Sequence, residues 1–475
     1  MQYTKVDENI QKRASDILAH SYPLVLPIVH ELSSNGCQTV LVGGAVRDLF
    51  LNLPLKDIDI EVYNCSLDEL ETRLKNHGPV SLVGKVYGVL RLHGLDVDWS
   101  VPRSDSSGRK PQVKIDPHLS FEKAFARRDL TINAMGIDLA TFQLIDPFNG
   151  LADLHKKIAR APDPHFFVED PLRFFRVMQF VARFDLTPDE ELNRLCSQMD
   201  ISTVSRERIE QEFAKLFLRS KKPSRGFLWL DSIKRLADVL PELAATKGIE
   251  QEKKWHPEGD VYEHTLQAID AAAALHYRDE HEKLAIMYAA LCHDLGKVNA
   301  TQIVDGSIKS YGHAQESEVL TKKMLKRITH NKELVDTVSK LVHYHMEPIQ
   351  FVKSGAKAAA YKRLARKLAP EVTLEMLGLL ACADKQGRNS QKGSPLTTQM
   401  PEIEQFFEHA RDANVLYEVE QPVLHGRDLL DIFQPGPDLG KAVKYAYFVQ
   451  INEGIKDKQE LIKRIKTMKQ EQIKK

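Results

Sequence analysis

Seven residues, KDIDIEV from Lys56 to Val62, restrict the local fold more than any other stretch of the chain. Ile58, Ile60 and Val62 alternate with Asp57, Asp59 and Glu61. Successive side chains of a β-strand point to opposite faces, so the segment reads as a strand with one apolar face and one acidic face. Carboxylates sharing a face repel one another. Either that face is bathed in water or it holds something positive that the chain does not supply.

The flanking sequence has the texture of a mixed α/β unit. TVLVGGAVRD (Thr39–Asp48) is an apolar run ending in Gly43 and Gly44 and continuing with helix-compatible residues. VYGVLRLHGLDVDWSV holds two strand-like runs around Gly94, the pattern of a hairpin. Arg103–Gln112 is polar and Gly/Ser/Pro-bearing, the composition of a mobile loop. From Asp163 the period becomes helical, with Leu172, Phe175, Met178 and Ala182 on one face. That texture persists to about Lys385. A polar joint, Ser390–Thr398, then leads to a basic amphipathic end, Ile455–Lys475.

A chain of 475 residues is too long for one ordinary domain. Its 66 basic and 66 acidic side chains cancel, so any nucleic-acid contact must come from local patches. Five scattered cysteines suggest a reducing compartment. With no apolar signal core at the start and no apolar run long enough to cross a bilayer, a cytoplasmic protein without membrane contact is expected.

The acidic strand points to divalent metal chemistry. Asp57 and Asp59 project from one face and could share cations that activate a hydroxyl and stabilise departing pyrophosphate. Gly43 and Gly44 let backbone approach a phosphate, which helix amides and Arg47 could hold. LDVDWSV carries a second acidic pair, Asp96 and Asp98, on one face of another strand. ARRDLTINAM concentrates Arg127, Arg128, Asp129 and Asn133. Arginines suit triphosphates, and Asp or Asn suits ribose hydroxyls. The alternative is the start of a surface helix.

LVGGAVRDLFLNLPLKDIDIEV, RRDLTINAM, DPFNGLADL and EDPLRFFRVMQFVARF, in this order between Thr39 and Phe184, resemble the bacterial class II tRNA nucleotidyltransferases and their sister poly(A) polymerases. The resemblance implies an α/β head, built on a small mixed sheet, followed by an all-α neck and body and a helical tail. It implies Mg²⁺ on Asp57 and Asp59, with Asp98 as the third carboxylate and Asp96 as its fallback. Glu61 is read as supporting or solvated.

In EDPLR, Pro171 fits a first helical turn and Asp170 is a good N-cap. Asp170 and Arg173, three apart, also share a helix face. The resemblance implies that they act as a template for the incoming base. A carboxylate accepts from the amino group of cytosine or adenine, and a guanidinium donates to ring acceptors. Each contact left unpaired against the wrong base would cost roughly 1–3 kcal/mol. Arg176, one turn on, supports Arg173 or the triphosphate.

A second constellation follows in a helical region: His264, then His293–Asp294 closing an apolar helix before Gly296, then Asp384. This order resembles the HD phosphohydrolases, which implies a metal set of His264, His293, Asp294 and Asp384. His313 and His343 are candidates for a second metal or a phosphate, and His345 competes with His343. Ni²⁺, Mn²⁺ or a similar transition metal, or Mg²⁺, would suit these ligands.

The expected domains are a helical extension (1–38), the nucleotidyltransferase head (39–160), a neck and body for template and tRNA (161–250), an HD domain (251–390) and a basic helical tail (391–475). The expected partners are the tRNA 3′ end, CTP and ATP, and a homodimer is an open alternative. The expected activity is addition of C, C and A, with phosphatase and 2′,3′-cyclic phosphodiesterase activity in the HD domain. Poly(A) polymerase, CC-only or A-only addition, or an HD phosphohydrolase with a tRNA-binding amino-terminal half are the alternatives.

Overall fold

A computed structural model describes residues 3–83, 88–105, 113–390, 395–396 and 399–473. The chain divides into two compact units, Met1–Leu216 with Leu228–Arg235, and Phe217–Phe227 with Leu236–Lys475.

The first unit is built on β1 (Tyr3–Lys5), β2 (Gln38–Val42), β3 (Ile58–Tyr63), β4 (Val80–Val83), β5 (Val89–Leu92), β6 (Val97–Ser100), β9 (Gly136–Asp138) and β10 (Gln143–Ile145). They form one mixed sheet in the order β1-β10-β9-β2-β3-β6-β5-β4. Only β3 and β6 pair in parallel; the other neighbours are antiparallel. The expected hairpin is β5–β6, which turns at Gly94 with φ +82°. The first 38 residues are not wholly helical. They hold α1 (Glu8–Ser21) and α2 (Val25–Ser34), but Tyr3–Lys5 adds an edge strand to the head sheet.

Of the loop expected over Arg103–Gln112, Arg103–Asp105 is instead β7, paired with β8 (Val113–Ile115). The remaining residues, 106–112, lie outside the described ones. Strand β2 is apolar and mostly buried, and packs with Phe121 and Phe125 of α5 (Phe121–Ala126). Helices α3 (Gly44–Phe50), α4 (Leu67–Lys75), α6 (Gly150–Lys156), α7 (Pro164–Glu169) and α8 (Leu172–Phe184) complete the part that carries the acidic strand. The helical face read from the sequence, Leu172, Phe175, Met178 and Ala182, is buried in α8.

In the second unit, the helices Val261–Ala274, Glu280–Cys292, His313–Ile328, Lys332–Tyr344 and Leu374–Gln386 surround the second constellation. Side-chain caps start several of them: Asp260 accepts from Glu263 N at 2.9 Å and Asn331 from Leu334 N at 3.0 Å. Part of the expected joint, residues 391–394 and 397–398, lies outside the described residues. The basic end is a helical hairpin, Pro437–Glu453 and Lys458–Ile473, with its own core around Leu429, Ala446, Leu461 and Ile465. Its cations are partly paired: Lys441 with Asp438 at 3.0 Å, Lys458 with Asp428 at 2.7 Å and Arg464 with Glu453 at 3.2 Å. No helix among the described residues is long and apolar enough to cross a membrane.

Candidate active sites

Strand register builds the first site. Val42, the last residue of β2, pairs with Asp59 of β3; Asp59 pairs with Asp98 of β6; Asp98 pairs with Arg91 of β5. The Gly43–Gly44 turn therefore leaves β2 beside the carboxylates. Gly43 has φ +79°, and a Cβ there would lie 2.6 Å from Arg128 Nη1. Asp98 accepts from Arg91 Nε at 2.8 Å.

Asp59 is exposed at the surface, yet the protein around its carboxyl strips part of its hydration. Burial, aided by the negative charges of Asp98, Glu61 and Asp57 and opposed by Arg128, pushes its carboxyl up to about 6. Such a group is relieved by a cation, and a set of carboxylates suits a hard divalent one. Magnesium fits this donor set.

Two expectations are corrected here, and for Glu61 one of two alternatives is selected. Asp57 stands before β3 with a left-handed φ of 52°, so a turn and not strand alternation sets its direction. Asp tolerates that conformation better than most residues. Asp96 lies outside β6, so it does not share a strand face with Asp98. Glu61 is not solvated: it is buried, and it accepts from Tyr63 Oη at 2.9 Å and Arg128 Nη2 at 3.1 Å.

The RRDLTINAM segment is not a surface helix start. Asp129 and Asn133 are buried around a short 3₁₀ turn, Thr131–Asn133. Arg47, expected to hold phosphate, is buried as well. Its guanidinium donates to Asp48 and Asn133 and lies 4.4 Å from the Phe184 ring centroid, so these partners take the place of phosphate. Asn133 in turn donates to Asp129, which accepts from Arg176 Nε at 2.5 Å. Burial alone would raise the Asp129 carboxyl, but Arg176, Asn133 and the Leu130 amide hold it at about 2.

Asp170 precedes α8 as expected and accepts from Leu172 N at 3.1 Å. It also pairs with Arg208 Nη2 at 3.0 Å, a partner 38 residues on that local spacing could not show. Arg173 donates to the carbonyls of Phe166 and Arg127. Arg173 and Arg176 thus pin α8 to the RRD segment and fix the orientation of its first turns.

In the second unit the helices bring His264, His293, Asp294, His313, His345 and Asp384 together. His264 Nε2 lies 3.2 Å from both His293 Nε2 and Asp384 Oδ1. His313 Nε2 lies 3.2 Å from His345 Nε2 and 3.4 Å from Asp294 Oδ1. Asp294 Oδ2 is 3.3 Å from His293 Nε2, which joins the two halves.

The tautomers follow from the backbone. His293, His313 and His345 each place Nδ1 2.7–2.9 Å from a carbonyl oxygen, of Ala290, Ser310 and Val342 respectively. A carbonyl only accepts, so Nδ1 carries the proton and Nε2 is left with its lone pair pointing inward when the ring is neutral. His264 Nδ1 lies 2.7 Å from Glu258 Oε1, which turns its Nε2 the same way and leaves a lone pair there when the ring is neutral. Lone pairs converging at 3.2 Å fit metal cations between them. Two triads, His264–His293–Asp384 and Asp294–His313–His345, each bring their ligand atoms within 4.8 Å of one another.

Burial would raise the carboxyls of Asp294 and Asp384. Lys297 beside the first and Arg388 beside the second, with the imidazoles, hold both well below the usual range. Burial, with His293 and His313 as neighbours, lowers His345 to about 3, so it stays neutral as a ligand must.

Between the competing histidines the geometry selects His345. His343 instead places Nδ1 2.7 Å from Glu318 Oε2, because the two helical steps between it and His345 turn its side chain by about 200°. The helix Glu280–Cys292 ends before Gly296, which starts the short helix Lys297–Ala300 with φ −69°. Its missing Cβ makes room for the backbone at His313 and Ser317. Sequence reasoning missed Glu258, Lys297, Arg388 and Arg208. Lys297 and Arg388 sit three and four residues after their carboxylates, a helical spacing that could have signalled them.

Comparison with known proteins agrees with this division. The family of poly A polymerase head domains matches residues 39–160, and the HD domain family matches residues 261–381. A multifunctional CCA protein of Methylobacillus flagellatus is 36% identical over 314 residues, 64% of this chain and 72% of the relative. One of Mannheimia succiniciproducens is 30% identical over 402 residues, 81% and 92% of the two chains. Among solved structures, the Bacillus stearothermophilus CCA-adding enzyme in complex with CTP aligns with a TM-score of 0.64 at 20% identity, covering 94% of this chain and 98% of that one. The Thermotoga maritima CCA-adding enzyme complexed with tRNA aligns at 0.60 and 19% identity, covering 98% and 100%.

Proposed function

The chain belongs to the multifunctional CCA proteins, and on that premise we infer that it adds C, C and A to the 3′ end of tRNA from CTP and ATP without a nucleic-acid template. Its HD domain is a metal-dependent phosphohydrolase, read as acting on phosphomonoesters and 2′,3′-cyclic phosphates. The observation that carries the transferase reading is the register pairing of Asp59 with Asp98 beside the Gly43–Gly44 turn.

Asp57, Asp59 and Asp98 would hold Mg²⁺, which supplies an activated hydroxyl and charge neutralisation at the departing pyrophosphate. Arg128 borders the same carboxylates and balances their charge. Asp170 accepts from the amino group of cytosine or adenine once Arg208 yields. Arg173, held by two carbonyls, donates to the base from a fixed position. Uracil and guanine present a carbonyl where Asp170 requires a donor.

In the HD domain His264, His293, Asp294, His313, His345 and Asp384 would hold two divalent ions. Such ions lower the pKa of bound water and neutralise phosphate. Lys297 and Arg388 fix the two carboxylates. The domain limits proposed are 39–160 for transfer, 161–250 for template and tRNA, and 251–390 for hydrolysis. The remaining basic hairpin contacts the tRNA backbone.

The test is a tRNA ending at the discriminator base, incubated with CTP and ATP separately and together. Extension by two residues with CTP alone and three with both is expected. A poly(A) ladder with ATP alone would replace this reading by the poly(A) polymerase one.

A further inference from the structure

Large aromatic side chains are normally withdrawn from water; of the five exposed ones described in the second unit, Trp255, Tyr311, Tyr417, Tyr445 and Phe448, two line the cavity of the second constellation. Trp255 is 53% exposed and Tyr311 is 71% exposed, whereas Trp99 and Trp229 are buried. Both exposed rings line the cavity of about 580 Å³ that also contains His313, His345, Asp294 and Asp384. Each is tied to the cluster by the chain itself. Trp255 directly precedes His256, whose Nδ1 is 2.9 Å from Glu258 Oε1, and Tyr311 lies two residues before His313 across the left-handed Gly312.

Ammonium groups stand beside the Trp255 ring. Lys254 Nζ and Lys353 Nζ lie 5.1 and 5.6 Å from the Trp255 ring centroid. A flat aromatic surface with ammonium groups beside it, in the cavity of a histidine–carboxylate cluster suited to metal and phosphate, matches a single chemistry, a nucleoside carrying a phosphate. Bases stack on aromatic faces whatever their sequence, and ammonium groups follow the backbone.

We propose that Trp255 and Tyr311 form a base-stacking subsite at the mouth of the HD cavity, which takes the terminal nucleoside of an RNA 3′ end and sets its phosphate over the histidine–carboxylate cluster. The subsite rests on the reading of that cluster as a phosphohydrolase centre. It confers preference for nucleoside phosphates over aliphatic ones and, because stacking ignores base identity, no preference among the four bases.

Two readouts test it on the full chain. In the first, tryptophan emission is titrated with uridine 3′-monophosphate, which has neither the triphosphate nor the base that the transfer site selects. Saturable quenching is expected, lost in Trp255→Phe and shifted to roughly tenfold weaker binding in Tyr311→Ala. Glycerol 2-phosphate should not quench.

In the second, the metal-loaded protein hydrolyses nucleoside 2′,3′-cyclic phosphates and, separately, glycerol 2-phosphate. Trp255→Ala and Tyr311→Ala should raise KM for the nucleotides roughly tenfold with kcat within about twofold. KM for glycerol 2-phosphate should stay constant, and Trp255→Phe and Tyr311→Phe should restore nucleotide KM. An unchanged nucleotide KM, or an equal rise for glycerol 2-phosphate, would overturn the subsite. So would self-association abolished by Trp255→Ala in a protein that nucleotide does not quench, because the patch would then be a protein contact. Quenching without hydrolysis of either substrate by the unaltered chain would support the subsite and overturn the phosphohydrolase reading.

Discussion

Asp59 and Asp98 are direct partners across a parallel pair of strands, although 39 positions separate their numbers. The β3–β6 pair is the one parallel pairing in the eight-stranded sheet, and both carboxylates lie on it next to the turn that leaves β2. Like charges so placed are tolerable when a cation is bound between them.

Substitution at that row separates the two activities. Asp59→Ala and Asp98→Ala should each reduce nucleotide incorporation by roughly 10²–10³-fold, because several kcal/mol of charge stabilisation is lost. Hydrolysis in the HD domain should persist. The check is a gel assay of tRNA extension beside a phosphodiesterase assay of the same preparations. Undiminished extension in both variants would remove this row from the chemistry.

His345 and His343 provide the sharpest contrast in the second site. His345→Ala should lower both metal content and hydrolysis by about 10-fold or more, the scale seen when metal-site residues are lost. His343→Ala should do neither, because its ring faces Glu318. Metal titration with a competing chromogenic chelator reads the difference, and equal loss from both variants would contradict the assignment.

The alternation in KDIDIEV announced the strand with Asp59 and Glu61 on it, though not the turn that holds Asp57, and paired glycines announced the turn before α3, because both are local consequences of backbone geometry. The hairpin around Gly94 and the helix after Pro171 were legible for the same reason. What escaped were relations set by packing. Arg208 reaching Asp170, Arg47 buried among Asp48, Asn133 and Phe184, and Glu258 behind His264 all join residues with no sequence spacing to announce them. The two helical steps from His343 to His345 turn the chain by about 200°, and only the position of the neighbouring helices says which one faces the cluster.

Specificity should follow Asp170. Asp170→Ala should erode selection of C and A over U and G by about 10-fold, the worth of one lost polar contact. Incorporation from each of the four triphosphates, supplied singly, measures it. Selectivity equal to that of the unaltered chain would refute the template role.

The Asp129–Arg176 pair should be structural as well as functional. Asp129 is buried and Arg176 one-third exposed, so removing the carboxylate leaves a partly solvated charge, and Asp129→Ala should cost about 2 kcal/mol of stability. Urea unfolding followed by circular dichroism checks this. A change below about 0.5 kcal/mol, typical of surface sites, would show that the pair is not holding α8 to the RRD segment.

Asp270 gives a pH dependence away from both centres. Burial pushes its carboxyl up to about 6, although it accepts from Ser224 N at 3.0 Å and Ser224 Oγ at 2.7 Å. Its pKa when folded therefore exceeds its unfolded value of 3.8. The stability it contributes is full below pH 3.8 and declines as pH rises through about 6. The loss is on the order of 3 kcal/mol. The difference in Tm between the unaltered chain and Asp270→Asn should thus shift in favour of the variant from pH 4 to pH 7. A difference independent of pH would contradict this.

The most direct measurement of the central claim is anomalous diffraction from crystals soaked with Mn²⁺ and CTP. The expected map places manganese within coordination distance of Asp59 and Asp98 carboxylate oxygens, with the triphosphate on the same ions beside Gly43 and Gly44. Manganese and triphosphate bound elsewhere, with both carboxylates turned to water, would contradict it.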